Sequence, residues 1–346
     1  MNMKVYEIGT QQGLSSLRAA ERPALQPGPG QVVLRVRAVC LNHRDLLMLQ
    51  GTYGPRRPET RIPVSDGVGE VISLGDGVQG LSLGERVTCP HFATWLDGEF
   101  HPRWFAEDLG ISRDGWLAEQ IVVPADALVK VPDSMTDTQA AALPAAALTA
   151  WNALVEVGRI KAGDLVLALG TGGVAMLALQ LAKLHGARVA ITSSSDDKLA
   201  TARELGADFT INYRSHPDWA AELLRQTGGD GADIVAETGG LATLATSIAA
   251  AAPNGRLALI GALAASPADG ALQLQNLFGI VGKNLTLRGI TAGNRRMLQA
   301  MVRAVAAAGM KPLIDREFAF DDAAAAYAHL KTGSHLGKVL LRVHQY

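Results

Sequence analysis

The stretch from Leu165 to Ser195, LVLALGTGGVAMLALQLAKLHGARVAITSSS, constrains the fold more than any other. An apolar run stops at Gly170, Thr171, Gly172 and Gly173 make a tight turn, and apolar residues then recur at helical spacing. A strand, turn and helix in that order aim unpaired backbone N–H groups and the positive helix end at one point, with no side chains in the way. That is the layout of a pyrophosphate cradle, written here as Gly-x-Gly-x-x-Ala with Ala175 in the sixth position. A tight turn without a ligand satisfies the same spacing, and the flanking strand and helix favour the cradle.

Around this motif the chain divides in two. From about residue 147, glycine-bounded apolar runs (LVLALG, ARVAITS, ADIVAET, RLALIGA) alternate with Ala- and Leu-rich amphipathic segments, the mark of βαβ units on a parallel sheet. Before that point QVVLRVRAVCL alternates at period two, and GEVISLG and GERVTCP repeat the pattern between glycine turns, so a mostly β domain is expected. A last run, LTLRGIT, leads to the helix MLQAMVRAVAAA, and an acid-rich helix and the strand GKVLLRV close the chain, placed to return to the first domain. The fold class is therefore α/β, and 346 residues suffice for two cores.

A formal net charge of -1 gives no pull toward polyanions, which argues against a nucleic-acid partner. Cys40 and Cys89 are the only cysteines, too few for a disulfide framework, so a reducing, cytoplasmic location is expected. The first ten residues lack an apolar signal core, and Gln180 and Lys183 interrupt the greasiest run, Gly173 to Leu184, so no membrane span is expected.

Where NAD-preferring sites place an acid about twenty residues after the first glycine, this chain has Thr192, Ser193, Ser194 and Ser195, with Lys198 one turn on. Hydroxyls do not repel a 2'-phosphate, so the pattern leans toward NADP(H), with NADH as the alternative. Ser195 or Asp196 acting only as a helix N-cap, with Lys198 a solvated lysine, is compatible with either cofactor.

Taken in order, PGPGQVVLRVRAV, LNHRDLLMLQGTY, IPVSDGVGEVISLG, LGERV, LPAAALTAWNAL, GTGGV, KLATARELGAD, INYR and GKVLL resemble the medium-chain dehydrogenase/reductase family across nearly the whole chain. The resemblance implies a GroES-like β domain from residues 1–146 and 290–346, a Rossmann doubly wound parallel-sheet domain from 147–289, and an active site in the cleft. In the family's zinc alcohol dehydrogenases the catalytic metal is held by Cys, His and Cys, and the matching positions here are Asn42, Asp66 and Ala145. Ala145 offers no side-chain donor, Asn42 is a poor one, and a zinc site needs three protein ligands. The region matching the structural-zinc loop, 92–116, has no cysteine, and Arg44 and Leu47 stand where the proton relay is usual. The chain therefore resembles the zinc-free branch of quinone oxidoreductases and enone reductases. Cys89, His91 and Asp66 match no known ligand pattern for a replacement metal site.

That resemblance implies a zinc-independent oxidoreductase passing hydride from NADPH to a quinone or α,β-unsaturated carbonyl. An alcohol or aldehyde dehydrogenase-type reaction and a non-enzymatic NADPH-binding protein are the alternatives. It implies cofactor contacts from Thr149, Gly170, Gly172, Gly173, Val174, Ser193, Ser194, Lys198, Tyr213, Thr238, Gly239, Gly261 and Leu263, with Lys198 and Tyr213 on the 2'-phosphate. Tyr213 is alternatively a core aromatic with its hydroxyl at the surface. By family position Asn42 is the first candidate to stabilise charge on the substrate oxygen, with Tyr53 as a second donor and proton source and His43 as a further acid. Asp66 either contacts substrate, pairs with His43 or Arg44, or caps backbone N–H groups. Family members commonly pair through the edge of the Rossmann sheet, so a homodimer, or a tetramer, is implied.

Overall fold

A computed structural model describes residues 2–261 and 274–343. Contacts divide the chain into two units, Met1–Leu148 with Gly293–Tyr346, and Thr149–Ala292, junctions that differ by a few residues from 146/147 and 289/290. Among the described residues no helix is long and apolar enough to cross a membrane.

The first unit is organised by one long strand, Gln31–Leu41, whose alternating apolar residues are buried. On one edge its first half pairs with Gln120–Pro124 and its last residues pair with Lys338–Arg342, both antiparallel; Asp66–Leu74 runs along the other edge. Register shifts at Val33/Leu34 and Val36/Ala38 interrupt the pairing with Asp66–Leu74, and bulges of this kind bend and twist a strand. Ile314–Ala319 extends the sheet beyond Lys338–Arg342, while Arg86–Thr88 and then Val129–Lys130 extend it beyond Asp66–Leu74. The C-terminal segments thus return to this unit, and helix Ala323–Thr332 buries Tyr327 in its core.

One contact fixes a glycine in this sheet. A Cβ built on Gly67 would lie 2.4 Å from Cε3 of Trp116, itself fully buried, so the indole ring lies directly on the backbone. The segment after residue 91 is held by aromatic edges: Phe100 lies 5.6 Å from Phe92, 5.2 Å from Trp95 and 5.4 Å from Phe105, ring centre to ring centre. Ring packing thus shapes the loop in which the sequence has no cysteine.

Helix His43–Gln50 begins at Asn42, whose backbone N–H donates to Asp45 Oδ2 at 2.7 Å. Asp45 is buried. That burial pushes its carboxyl up to about 7, although neighbouring Arg44 pulls the other way.

The second unit carries six parallel strands, in chain order Leu165–Ala168, Arg188–Ser193, Phe209–Asn212, Ala232–Glu237, Ala251–Leu259 and Thr286–Gly289. Their spatial order is 3-2-1-4-5-6, the doubly wound arrangement. Its strand order reverses between Leu165–Ala168 and Ala232–Glu237, which places the glycine turn after Leu169 at the switch point where such sheets bind ligands.

Two outcomes follow. Gly67→Ala forces a methyl into the Trp116 ring, and overpacking of this kind costs about 1–3 kcal/mol; thermal unfolding is expected to shift down by several degrees, and an unchanged midpoint would refute the contact. Asp45 has its carboxyl raised on folding, so its favourable contribution is complete below the unfolded value of about 4 and is lost as pH rises through about 7. Asp45→Asn keeps an acceptor for the Asn42 N–H without the charge. Its stability advantage over the parent, measured by urea unfolding, is expected to widen from about pH 5 to about pH 8, and a constant gap counts against the raised carboxyl.

Candidate functional site

The three positions that matched metal ligands are joined by hydrogen bonds instead. Asp66 opens its strand opposite Cys40, and its carboxylate is fully buried. Oδ1 accepts the Ser65 hydroxyl at 2.7 Å, and Oδ2 accepts the backbone N–H of Ala145 at 3.0 Å. Ala145 lies in the first turn of the helical segment that starts at Leu143, where N–H groups lack intrahelical partners, so Asp66 acts as its cap. Of the roles open to Asp66, this geometry shows the capping of backbone; it pairs with neither His43 nor Arg44.

Asn42 is half-buried. Its Oδ1 accepts from the ammonium of Lys338 at 2.5 Å, and its Nδ2 donates to Ser65 Oγ at 3.4 Å. Lys338 is buried, and Nζ also donates to the Leu41 carbonyl at 3.0 Å. The only earlier sign of this lysine was its place in the GKVLL landmark. A buried ammonium hydrogen-bonded to one ligand position, and a carboxylate already satisfied at the second, do not fit a zinc ion. Among the described residues no group of three or more His, Cys, Asp or Glu could hold a metal ion.

Beside this cluster Arg44 is buried, with Nη2 2.6 Å from Asp108 Oδ1 and Nη1 2.8 Å from His91 Nδ1. His91 Nδ1 also lies 2.9 Å from Asp108 Oδ1, between a group that only donates and one that only accepts, so its proton state serves one of them at a time. Burial alone would raise the Asp108 carboxyl, but Arg44 and His91 outweigh it and hold the group below its ordinary value. The Tyr53 ring sits 5.5 Å from the Arg44 guanidinium, and burial raises its phenol despite that cation. His43 is exposed on the first helical turn. His91 is thus engaged with Arg44 and Asp108, and the Cys89 thiol, fully buried, is pushed far above its usual range by burial and by Asp66.

The glycine turn of the second unit has the shape the sequence suggested. Helix Gly173–Leu184 starts at Gly172 with no side-chain cap, leaving the N–H groups of Gly173 and Val174 to the turn. A Cβ on Gly170 or Gly172 would meet nothing within 4 Å, so the space over the turn is open, as a pyrophosphate requires. The Gly170 N–H donates to Thr192 Oγ1 at 3.2 Å, and Thr171 Oγ1 lies 3.4 Å from Ser193 Oγ, which ties the turn to the next strand. Ser193 is buried and also accepts the Ser195 N–H, so its hydroxyl serves the turn. Ser194 is half-buried, and Ser195 caps helix Asp196–Glu204 through the Lys198 N–H. Tyr213 is 43% exposed, which removes the core-aromatic reading.

The next strand end is shaped by Glu237, which sequence reading passed over. It is buried; Oε1 accepts the N–H groups of Gly239 and Gly240 at 2.7 and 3.0 Å and the Thr243 hydroxyl at 2.6 Å, and Oε2 accepts the Ser247 hydroxyl. Thr238 donates its hydroxyl to the Leu169 carbonyl at 3.0 Å. A Cβ on Gly261 would lie 1.9 Å from the Thr238 carbonyl oxygen, so no other residue fits against this turn. Thr149 is buried in the helical segment after Leu148, and Leu263 lies outside the described residues.

Comparison with known proteins agrees with this fold. Residues 28–133 match the alcohol dehydrogenase GroES-like domain, and residues 173–307 match the zinc-binding dehydrogenase family. A zinc-type alcohol dehydrogenase-like protein of Schizosaccharomyces pombe is 39% identical over 96% of both chains. An acryloyl-coenzyme A reductase of Metallosphaera sedula is 29% identical over 91% of this chain and 93% of its own. The crystal structure of an NAD-dependent alcohol dehydrogenase superposes with a TM-score of 0.88 at 34% identity, covering 99% of this chain and 100% of the other. The GroES-like β unit, the doubly wound sheet with its open glycine turn and these whole-length likenesses together establish that the chain belongs to the medium-chain dehydrogenase/reductase family of oxidoreductases.

Proposed function

We propose that this oxidoreductase works without zinc and reduces the carbon–carbon double bond of an α,β-unsaturated carbonyl, or a quinone, at the expense of NADPH. The observation that carries the reading is the closed cluster of Lys338, Asn42, Ser65, Asp66 and the Ala145 N–H at the positions that matched metal ligands. Such a cluster offers a substrate oxygen a neutral amide donor. An enolate spreads its charge over several atoms and needs less electrostatic help than an alkoxide, whose charge is localised on oxygen and for which a Lewis acid is the usual aid. The acryloyl-coenzyme A reductase relative supports this choice; the alcohol dehydrogenase relatives favour the second reading, reaction at the carbonyl carbon.

A bound nicotinamide dinucleotide supplies the hydride. The chain's own residues do the rest. The turn at Gly170, Gly172 and Gly173 receives the pyrophosphate, and Thr238, Gly239 and Gly261 form the neighbouring wall. Asn42 Nδ2 donates to the oxygen on which charge develops, and Tyr53 delivers a proton. Ser194, Lys198 and the exposed ring of Tyr213 form the 2'-phosphate pocket that favours NADPH over NADH. The protein acts as a cytoplasmic homodimer, joined along Thr286–Gly289, the last strand of the sheet among the described residues, in a unit that also exposes Leu277, Phe278 and Val281.

Chelator-treated protein, given C4-deuterated NADPH of each stereochemistry and an α,β-unsaturated aldehyde, is expected to place deuterium on the β-carbon, as located by NMR. Deuterium on the carbonyl carbon would establish the second reading, and tight NADPH binding without turnover of any electrophile would indicate a nucleotide-binding protein instead. For the cofactor, Lys198→Ala and Tyr213→Phe are each expected to weaken NADPH binding about tenfold, the order of one charge-assisted hydrogen bond, and to leave NADH binding unchanged. Titration of the intrinsic fluorescence reads both constants, and equal losses for the two cofactors would sink the 2'-phosphate assignment.

A further inference from the structure

The structure assigns Lys338 a role beyond filling a buried position: we infer that it is a positioning residue for Asn42, an inference that rests on the reading of Asn42 as the donor to substrate. An asparagine amide presents either its oxygen or its nitrogen in nearly the same space, and only its partners decide which. Lys338 sets it from one side, and Ser65, whose hydroxyl is committed to Asp66, accepts on the other. An ammonium donates and never accepts, so the atom 2.5 Å from Nζ has to be Oδ1, and Nδ2 is turned to the opposite side.

From there the hydrogen bonds run one way. Lys338 donates to the Asn42 oxygen, Asn42 donates to the Ser65 oxygen, and Ser65 donates to the Asp66 carboxylate. A chain of four groups thus has a cation at its donating end and an anion at its accepting end. Every bond in such a chain polarises the next, and an ammonium on the amide oxygen strengthens the amide N–H groups as donors. The link from Asn42 to Ser65, at 3.4 Å, is the longest of the three and leaves the NH2 group the most donating capacity to give elsewhere. Asn42 is also the one member of the chain that is not buried.

A purely structural lysine would tie the Leu41 carbonyl and Asn42 in place without altering hydride transfer. The two roles separate in a double-mutant cycle on the full-length enzyme, with NADPH and an α,β-unsaturated aldehyde, reading the single-turnover hydride-transfer rate, KM, the NADPH dissociation constant and the unfolding midpoint. Asn42→Ala is expected to slow hydride transfer about 10²-fold, the effect of losing one preorganised donor. Lys338→Met is expected to slow it about tenfold, with NADPH binding unchanged and little added effect in the Asn42→Ala background. Lys338→Gln, whose amide still donates to Oδ1, is expected to fall between Lys338→Met and the parent, and it replaces Lys338→Met in the cycle if that protein does not fold. Equal slowing by the lysine change with and without Asn42, or a lower unfolding midpoint with an unaltered rate, would make Lys338 structural and leave Asn42 standing. An Asn42→Ala enzyme with parental rate would overturn the reading of Asn42 and, with it, the positioning role.

Discussion

A carboxylate sealed from water has to find donors, and the first unit is arranged around the way Asp66 finds them. An uncompensated buried charge costs several kcal/mol, enough to offset much of a domain's net stability. Asp66 meets the demand with one hydroxyl and one backbone N–H, and each has consequences elsewhere. The Ala145 N–H belongs to a helix start whose own partners are missing, so one bond satisfies two groups and fixes where that helix begins relative to the strand at Asp66. The Ser65 hydroxyl, once aimed at Asp66, offers only lone pairs to Asn42. The direction of the amide then follows.

The same rule recurs with other solutions. Arg44 and Asp108 satisfy each other across the fold at 2.6 Å, and His91 shares the pair. In the second unit Glu237 has no cationic partner among the described residues and relies on two backbone N–H groups and two hydroxyls. The two N–H groups come from the turn that follows it and the two hydroxyls from helix Leu241–Ala250, so the carboxylate ties turn and helix together, and Gly261 is the residue that tolerates the result. Each unit therefore sets the backbone of its candidate site with a buried carboxylate.

How much of this was legible in the sequence depended on range. The glycine turn was readable because strand, turn and helix are consecutive, and period and glycine placement report local backbone. The parallel sheet was readable for the same reason, one unit at a time. Lys338 was not. In GKVLLRV it looks like an ordinary strand lysine, and its partner Asn42 is 296 residues away. Arg44 showed only as a departure from the expected relay residue, since Asp108 is supplied by a loop 64 residues on. Ala145 was read as a position without a donor because side chains were counted; the backbone N–H there is the donor that Asp66 uses. In the loop after residue 91 the missing cysteines were plain, but that aromatic rings take up the work of holding it was visible only once Phe92, Trp95, Phe100 and Phe105 met.

The character of the cluster also bears on which chemistry suits it. A divalent ion binds substrate oxygen directly and bears most of the charge that develops there. Lys338 is a single charge, buried, with Nζ directed at two oxygens of the chain itself, so in the proposed reading its field would reach a substrate through the amide of Asn42. Polarisation through one amide is modest, of the order of 10–30% per bond. That is a small effect for a localised alkoxide and a proportionate one for an enolate, whose charge is already shared between oxygen and carbon. On the proposed reading, the same residues that do not fit a zinc ion favour, among acceptors of hydride, those that need the least help at oxygen.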